Sequence, residues 1–126
     1  MRRVAANTSG SCLATHIAFG AVKNAAGNWV TASIPGVTEA ASSIKQMPAD
    51  YRVSITNAPG ANAYPISSFT YLLVPAASGN AANRVVLKDM LSWIVKSGEG
   101  EVEALSYAPL PPALADKELQ AIYQLK

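Results

Sequence analysis

Between Tyr51 and Pro75 the chain reads YRVSITNAPGANAYPISSFTYLLVP, and no other run limits the possible folds as much. Tyr51-Arg52-Val53-Ser54-Ile55-Thr56 alternates apolar or β-branched side chains with polar ones, which predicts a half-buried strand. Phe69-Thr70-Tyr71-Leu72-Leu73-Val74 is nearly all apolar, aromatic or β-branched, the pattern of an interior strand of an α/β sheet, covered on both faces. Between them, Pro59-Gly60 sets a turn, and Pro59 and Pro65 each push the preceding residue towards extended backbone. Neither a helix nor a regular hairpin fits that link. It reads as a segment crossing between two packed bodies.

The flanking chain supplies strands, then helices. His16 to Lys23 predicts a strand with Ile17, Phe19 and Ala21 on one face. Asn24 to Asn28 is a loop whose Gly27 can take positive φ, and Trp29-Val30 resumes extended structure to complete a hairpin. Pro35-Gly36 and Thr38 introduce a helix with Thr38 as N-cap. Its apolar face is Val37, Ala40, Ala41, Ile44 and Met47, and Met47-Pro48 ends it. A helix this short depends on packing for its stability. The longest helical pattern begins at a cap on Asn80 or Asn83. It carries one stripe of Val86, Met90, Trp93 and Ile94, widened by Leu87 and Leu91, and closes with Gly98 at C′. Tyr107 to Pro112 is rigid extended chain, and residues 113–125 predict a last helix presenting Leu114, Leu119, Ile122 and Tyr123. Both tryptophans fall on apolar faces and are expected in the core. The expected class is α/β, a parallel or mixed sheet with helices packed against it.

Composition narrows the function classes. Half of the 126 residues are hydrophobic and 14% are charged, so disorder is not expected. A net charge of +2, with the basic residues scattered, leaves no electrostatic footprint for nucleic acid. One cysteine, Cys12, permits no internal disulfide. No run approaches the ~20 apolar residues of a membrane span. The opening MRRVAANTSGS has basic residues but no apolar run after them, so no secretory signal is expected.

The run NAPGANAYPISSFTYLLVP, with MPADYRVSI before it and LSYAPLP after it, resembles the C-terminal third of the substrate-binding protein of phosphate ABC transporters. A lysine-asparagine turn followed by an aromatic residue and valine (Lys23-Asn24, Trp29-Val30) belongs to the same likeness, which runs from about Ile17 to Tyr123. It implies a fragment of a two-lobed periplasmic binding protein of the type II fold, made of mixed sheet pieces with packed helices. Residues 1–58 would end one lobe (the first 15 unmatched), 59–65 would cross, and 66–126 would complete the other. The implied function is phosphate binding for import, with inorganic phosphate as ligand, a membrane permease as partner, a periplasmic location and no chemistry on the ligand. In a fragment, phosphate binding is expected to be weak or absent, and strands lacking neighbours would leave open edges and bare apolar faces. The alternative is a small self-standing α/β interaction domain without a transport role.

Site residues follow from what an anion needs: convergent hydroxyls, backbone N–H groups and an arginine fork. Thr8-Ser9-Gly10-Ser11 has suitable types, with Arg2 and Arg3 nearby, so Ser9, Gly10 and Ser11 are the phosphate-binding candidates, against the plainer reading of a surface turn. The family grips phosphate partly through an arginine four residues before a Ser-Gly-Thr. Here Ala5 holds the first position and Ser11 replaces the threonine. Asn62 stands where the family often has aspartate. Cys12 and His16 are too few for a metal site, which wants three or four ligands, and lack the orienting group of a catalytic pair. The plainer reading of these two is a small buried thiol and a surface histidine. Asp50 and Arg52 read as an exposed pair of little weight, and Ser67 and Ser68 as partners for local backbone. No catalytic residues, metal or cofactor are expected, and no enzyme.

Overall fold

The computed structural model describes residues 2–7, 19–75 and 80–125. The first strand, β1 (Arg2–Asn7), is the middle of a three-stranded sheet. It pairs antiparallel with β4 (Phe69–Leu73), placing Ala6 opposite Phe69 and Arg2 opposite Leu73. On its other side it pairs antiparallel with β5 (Tyr107–Ala108), with Ala6 opposite Ala108. Strands β2 (Val22–Lys23) and β3 (Trp29–Val30) form a separate two-stranded hairpin. The helices among the described residues are α1 (Ile34–Ser42), α2 (Ala81–Lys96) and α3 (Pro112–Tyr123), with a short 3-10 turn at Gly98–Gly100.

Local chemistry explains most of these boundaries. The hairpin loop closes through Asn24 N–H to Asn28 O (2.8 Å) and Gly27 N–H to Asn24 O (2.9 Å), with Gly27 at φ +86°, where a Cβ would be strained. Helix α1 is capped by Ser33, whose Oγ accepts from Gly36 N–H at 3.2 Å. Thr38, expected as the cap, instead lies inside the helix and donates its hydroxyl to Ile34 O. The helix ends at Ser42, five residues before Met47, because Ser43 turns its hydroxyl back onto Ala40 O at 2.6 Å and competes with the helical ladder. Asn80 caps α2 by accepting from Ala82 N–H at 2.9 Å. Gly98 stands at C′, where it begins the 3-10 turn.

Among the described residues the core is gathered in two apolar clusters. The larger gathers Val37, Ala40, Tyr51, Ile55, Phe69 and Leu114, so it takes side chains from before and after residues 59–65. The smaller holds Leu91, Val95 and Ile122 between α2 and α3. Ala115 packs against both and joins them.

The mixed helix-and-strand class is as expected, but several elements are not. Residues 51–56 keep the predicted alternation, with Tyr51 and Ile55 buried and Arg52, Ser54 and Thr56 exposed, yet among the described residues they pair with no strand. Tyr51 adopts φ 59°, and Val53 O is taken by the Tyr71 hydroxyl (3.2 Å) instead of a ladder. Strand β4 is at the sheet edge, with Leu72 44% and Leu73 74% exposed, so it is not covered on both faces. Every described strand pair is antiparallel, against the expected parallel or mixed sheet. Trp29 and Trp93 are not core residues, at 72% and 60% exposed.

Candidate functional site

Residues 57–68 are tied by hydrogen bonds to the β2–β3 hairpin, to α1 and to one another. They run as turns and extended chain without a helix or strand. Asn24, buried in the hairpin loop, points its Nδ2 at three carbonyls: Gly60 O (3.2 Å), Ala61 O (2.9 Å) and Ala63 O (3.2 Å). Its Oδ1 accepts from Asn28 N–H at 3.0 Å, and Asn28 Nδ2 donates to Ala61 O at 2.9 Å. From α1, Glu39 Oε1 accepts from Asn62 N–H at 3.0 Å, and Gly36 O accepts from Tyr64 N–H at 3.0 Å. The segment also closes on itself, with Asn57 N–H to Pro65 O (2.8 Å) and the buried Ser67 hydroxyl to Tyr64 O (2.7 Å). Ser67 thus serves local backbone, as its sequence context suggests. Gly60 is required here: a Cβ would come within 2.7 Å of Glu39 Oε1 and 3.0 Å of Ala63 Cβ.

A groove of about 530 Å³ lies between the end of α1 and the start of α3, lined by Ile44, Lys45, Met47, Pro111, Leu114 and Lys117 among others. Lys117 is fixed in place, its Nζ donating to Met47 O and lying 5.5 Å from the centre of the Tyr51 ring. The Tyr51 hydroxyl donates to Lys117 O at 3.3 Å. Burial raises the Tyr51 pKa above 10.0, and the negative charge of the buried Glu118 adds to the rise. A phenol whose folded pKa exceeds its unfolded value binds more protons in the native state above pH ~10, so stability falls as pH rises through that range. Urea unfolding between pH 9 and 11 (roughly the span of interest) should show this loss, and Tyr51→Phe should flatten it. An unchanged alkaline slope in Tyr51→Phe would remove Tyr51 from the account.

The anion candidates Ser9, Gly10 and Ser11 lie outside the described residues, as do Cys12 and His16. In sequence they follow Asn7, the last residue of the central strand. Asp50 and Arg52 form the expected exposed pair at 3.4 Å, with side chains 58% and 70% exposed. Among the described residues no group of three or more His, Cys, Asp or Glu could hold a metal ion. Nor is any helix among them long and apolar enough to cross a membrane. Sequence reasoning missed Asn24. Its signal was a loop asparagine in a hairpin, which reads as turn chemistry and gives no hint of a partner 36 to 39 residues away.

These features describe a mixed helix-and-strand chain organised around a pinned, irregular connection. No protein-family model matches it. Among curated proteins it is similar to the phosphate-binding protein PstS of Xylella fastidiosa, at 35% identity over 112 residues for strain Temecula1 and 34% over 112 residues for strain 9a5c. Each of these matches covers 88% of this chain and 30% of the relative. The phosphate-binding protein PstS of Methanocaldococcus jannaschii is 36% identical over 103 residues, 77% of this chain and 24% of the relative. The likeness is therefore partial, to the C-terminal part of a phosphate-binding protein, and the chain spans less than a third of the length of these relatives.

Proposed function

We propose that this chain is the C-terminal portion of the phosphate-binding component of an ABC importer of the two-lobed, type II kind. It would work in the periplasm with inorganic phosphate as ligand and a membrane permease as partner. In that role residues 1–58 and 66–126 end the two lobes, residues 59–65 are the crossing, and Ser9, Gly10 and Ser11 are the candidate anion contacts. The supporting observation is the 35% identity across 88% of the chain to a protein named for binding phosphate. The role is binding and delivery, with no chemical step.

On its own the chain is expected to bind phosphate weakly or not at all. Tight binding of a dianion needs several donors converging on it, and the two arginines with described side chains, Arg52 and Arg84, stand on exposed irregular chain and on α2. Two titrations test this. Isothermal titration of the 126-residue chain with phosphate should give no saturable heat. A chimera, in which this chain replaces the matching part of the Xylella fastidiosa relative, should bind phosphate at micromolar affinity or better. A folded chimera that leaves phosphate unbound would overturn the proposal, and micromolar binding by the chain alone would overturn the expectation of weakness.

A second reading, a self-standing α/β interaction domain, draws on one observation. The larger apolar cluster takes residues from both sides of the crossing and gives this chain a shared core.

A further inference from the structure

Residues 57–65 begin and end at one place. Asn57 N–H donates to Pro65 O at 2.8 Å, and the Thr56 hydroxyl donates to Ser67 O at 3.2 Å. The chain entering the segment is thus bonded to the chain leaving it. Asn57 makes the entry turn at φ 51°, a left-handed conformation that asparagine tolerates better than most residues. A segment clipped across its base in this way is a compact closed loop. A strap stretched between two bodies keeps its ends apart.

The β2–β3 hairpin and α1 also hold the loop. Asn24 donates to its carbonyls from the hairpin, while from α1 Glu39 accepts from Asn62 N–H and Gly36 O accepts from Tyr64 N–H. At the last of these contacts the helix and loop backbones approach so closely that a Cβ on Gly36 would lie 3.1 Å from Asn62 O and 3.3 Å from Tyr64 Cβ. Beneath them Ala58 and Ala63 of the loop are buried in one cluster with Ile55, which precedes it, and Phe69, which follows. A hinge consists of a few residues that absorb a large change of φ and ψ. Here such a change breaks the clip at the base, the α1 contacts and a buried apolar layer together. It also strands polar backbone at Ala63 and Tyr64, both of which are buried.

We propose that residues 57–68 are a clasp that joins the β2–β3 hairpin and α1 to β4 as one rigid body, and that closure on a ligand bends the protein elsewhere. The statement about closure rests on the phosphate-binding reading above, whereas the clasp stands on these contacts alone.

Amide hydrogen exchange of the 126-residue chain in low urea, followed residue by residue, tests the clasp. The Asn57 and Tyr64 amides should show the protection and the urea dependence of the amides inside α1, because they open only when the whole body does. Protection lower than that of α1 by about tenfold or more, the equivalent of one lost hydrogen bond, means that the loop opens by itself and overturns the proposal. In the Xylella fastidiosa chimera, saturating phosphate should leave the protection of residues 57–68 unchanged relative to α1. A several-fold change confined to that loop places the hinge there and overturns the proposal. A folded chimera that binds no phosphate overturns the phosphate-binding reading instead, and the exchange of the chain itself still decides the clasp.

Discussion

Replacing Asn24 with alanine is expected to lower the stability of the chain by about 2–4 kcal/mol, as several buried polar groups lose their partner at once. Asn24 is 5% exposed, and its amide is the shared donor for the carbonyls of Gly60, Ala61 and Ala63. Water can reach Ala61, which is exposed, but not Ala63, which is fully buried, so the loss is not made good by solvent. Asn24→Asp should be worse. It aims a carboxylate oxygen at three carbonyl oxygens, and only the protonated acid could donate to them. Its pKa would therefore be raised by folding, and the defect should deepen as pH rises above about 4, the ordinary value of the group. Urea midpoints of both variants at about pH 4, near the ordinary value of the group, and at about pH 7, well above it, measure the effect. If Asn24→Ala stays within about 0.5 kcal/mol of the parent, as ordinary surface substitutions do, the hairpin is not what holds the crossing.

The same residue shows where the sequence stopped being informative. Periodicity located α2 and α3 and the burial alternation over residues 51–56, because those patterns are written in neighbouring residues. It did not show pairing. Alternation reports which side chains face the core, and Tyr51, at φ 59°, and Val53 and Ile55 do so from backbone outside any strand, whose carbonyl and amide groups find turn and side-chain partners. Strand β1 was missed for the opposite reason. RRVAAN holds a single β-branched residue, and its strand state comes from two partners, β4 and β5, far along the chain. The exposed faces of β4 and α2 were read as interior because sequence gives hydrophobicity and not the neighbour that covers it.

The site was less legible than the fold. The turn character of residues 57–65 was plain from Pro59, Gly60 and Pro65, and the structure keeps them irregular. What fixes that segment, Asn24, Asn28 and Glu39, are three polar residues that no local pattern marks out, since each acts across 23 or more positions. The phosphate candidates rested on residue types in a short turn, and such motifs carry little without the geometry around them.

Ile55→Ala is expected to cost about 3 kcal/mol, within the 2–5 kcal/mol range for emptying a buried isoleucine site, and Ile55→Val about 1 kcal/mol. Ile55 is 1% exposed in the larger cluster, which receives Val37 and Ala40 from α1, Phe69 from β4 and Leu114 from α3. Helix α3 carries the effect onward. Leu114 belongs to the larger cluster, Ile122 to the smaller, and Ala115 touches both. A cavity at Ile55 should therefore be felt at α2, although α2 itself packs in the smaller cluster. The two tryptophans make this measurable: Trp29→Phe leaves Trp93 reporting on α2, and Trp93→Phe leaves Trp29 reporting on β3. Both should lose their native signal at one urea midpoint, and Ile55→Ala should lower the two midpoints together, as a cooperative transition requires. Should only the Trp29 signal move, residues 59–65 would mark an energetic boundary within the chain, and the two clusters would be separate folding units in spite of Ala115.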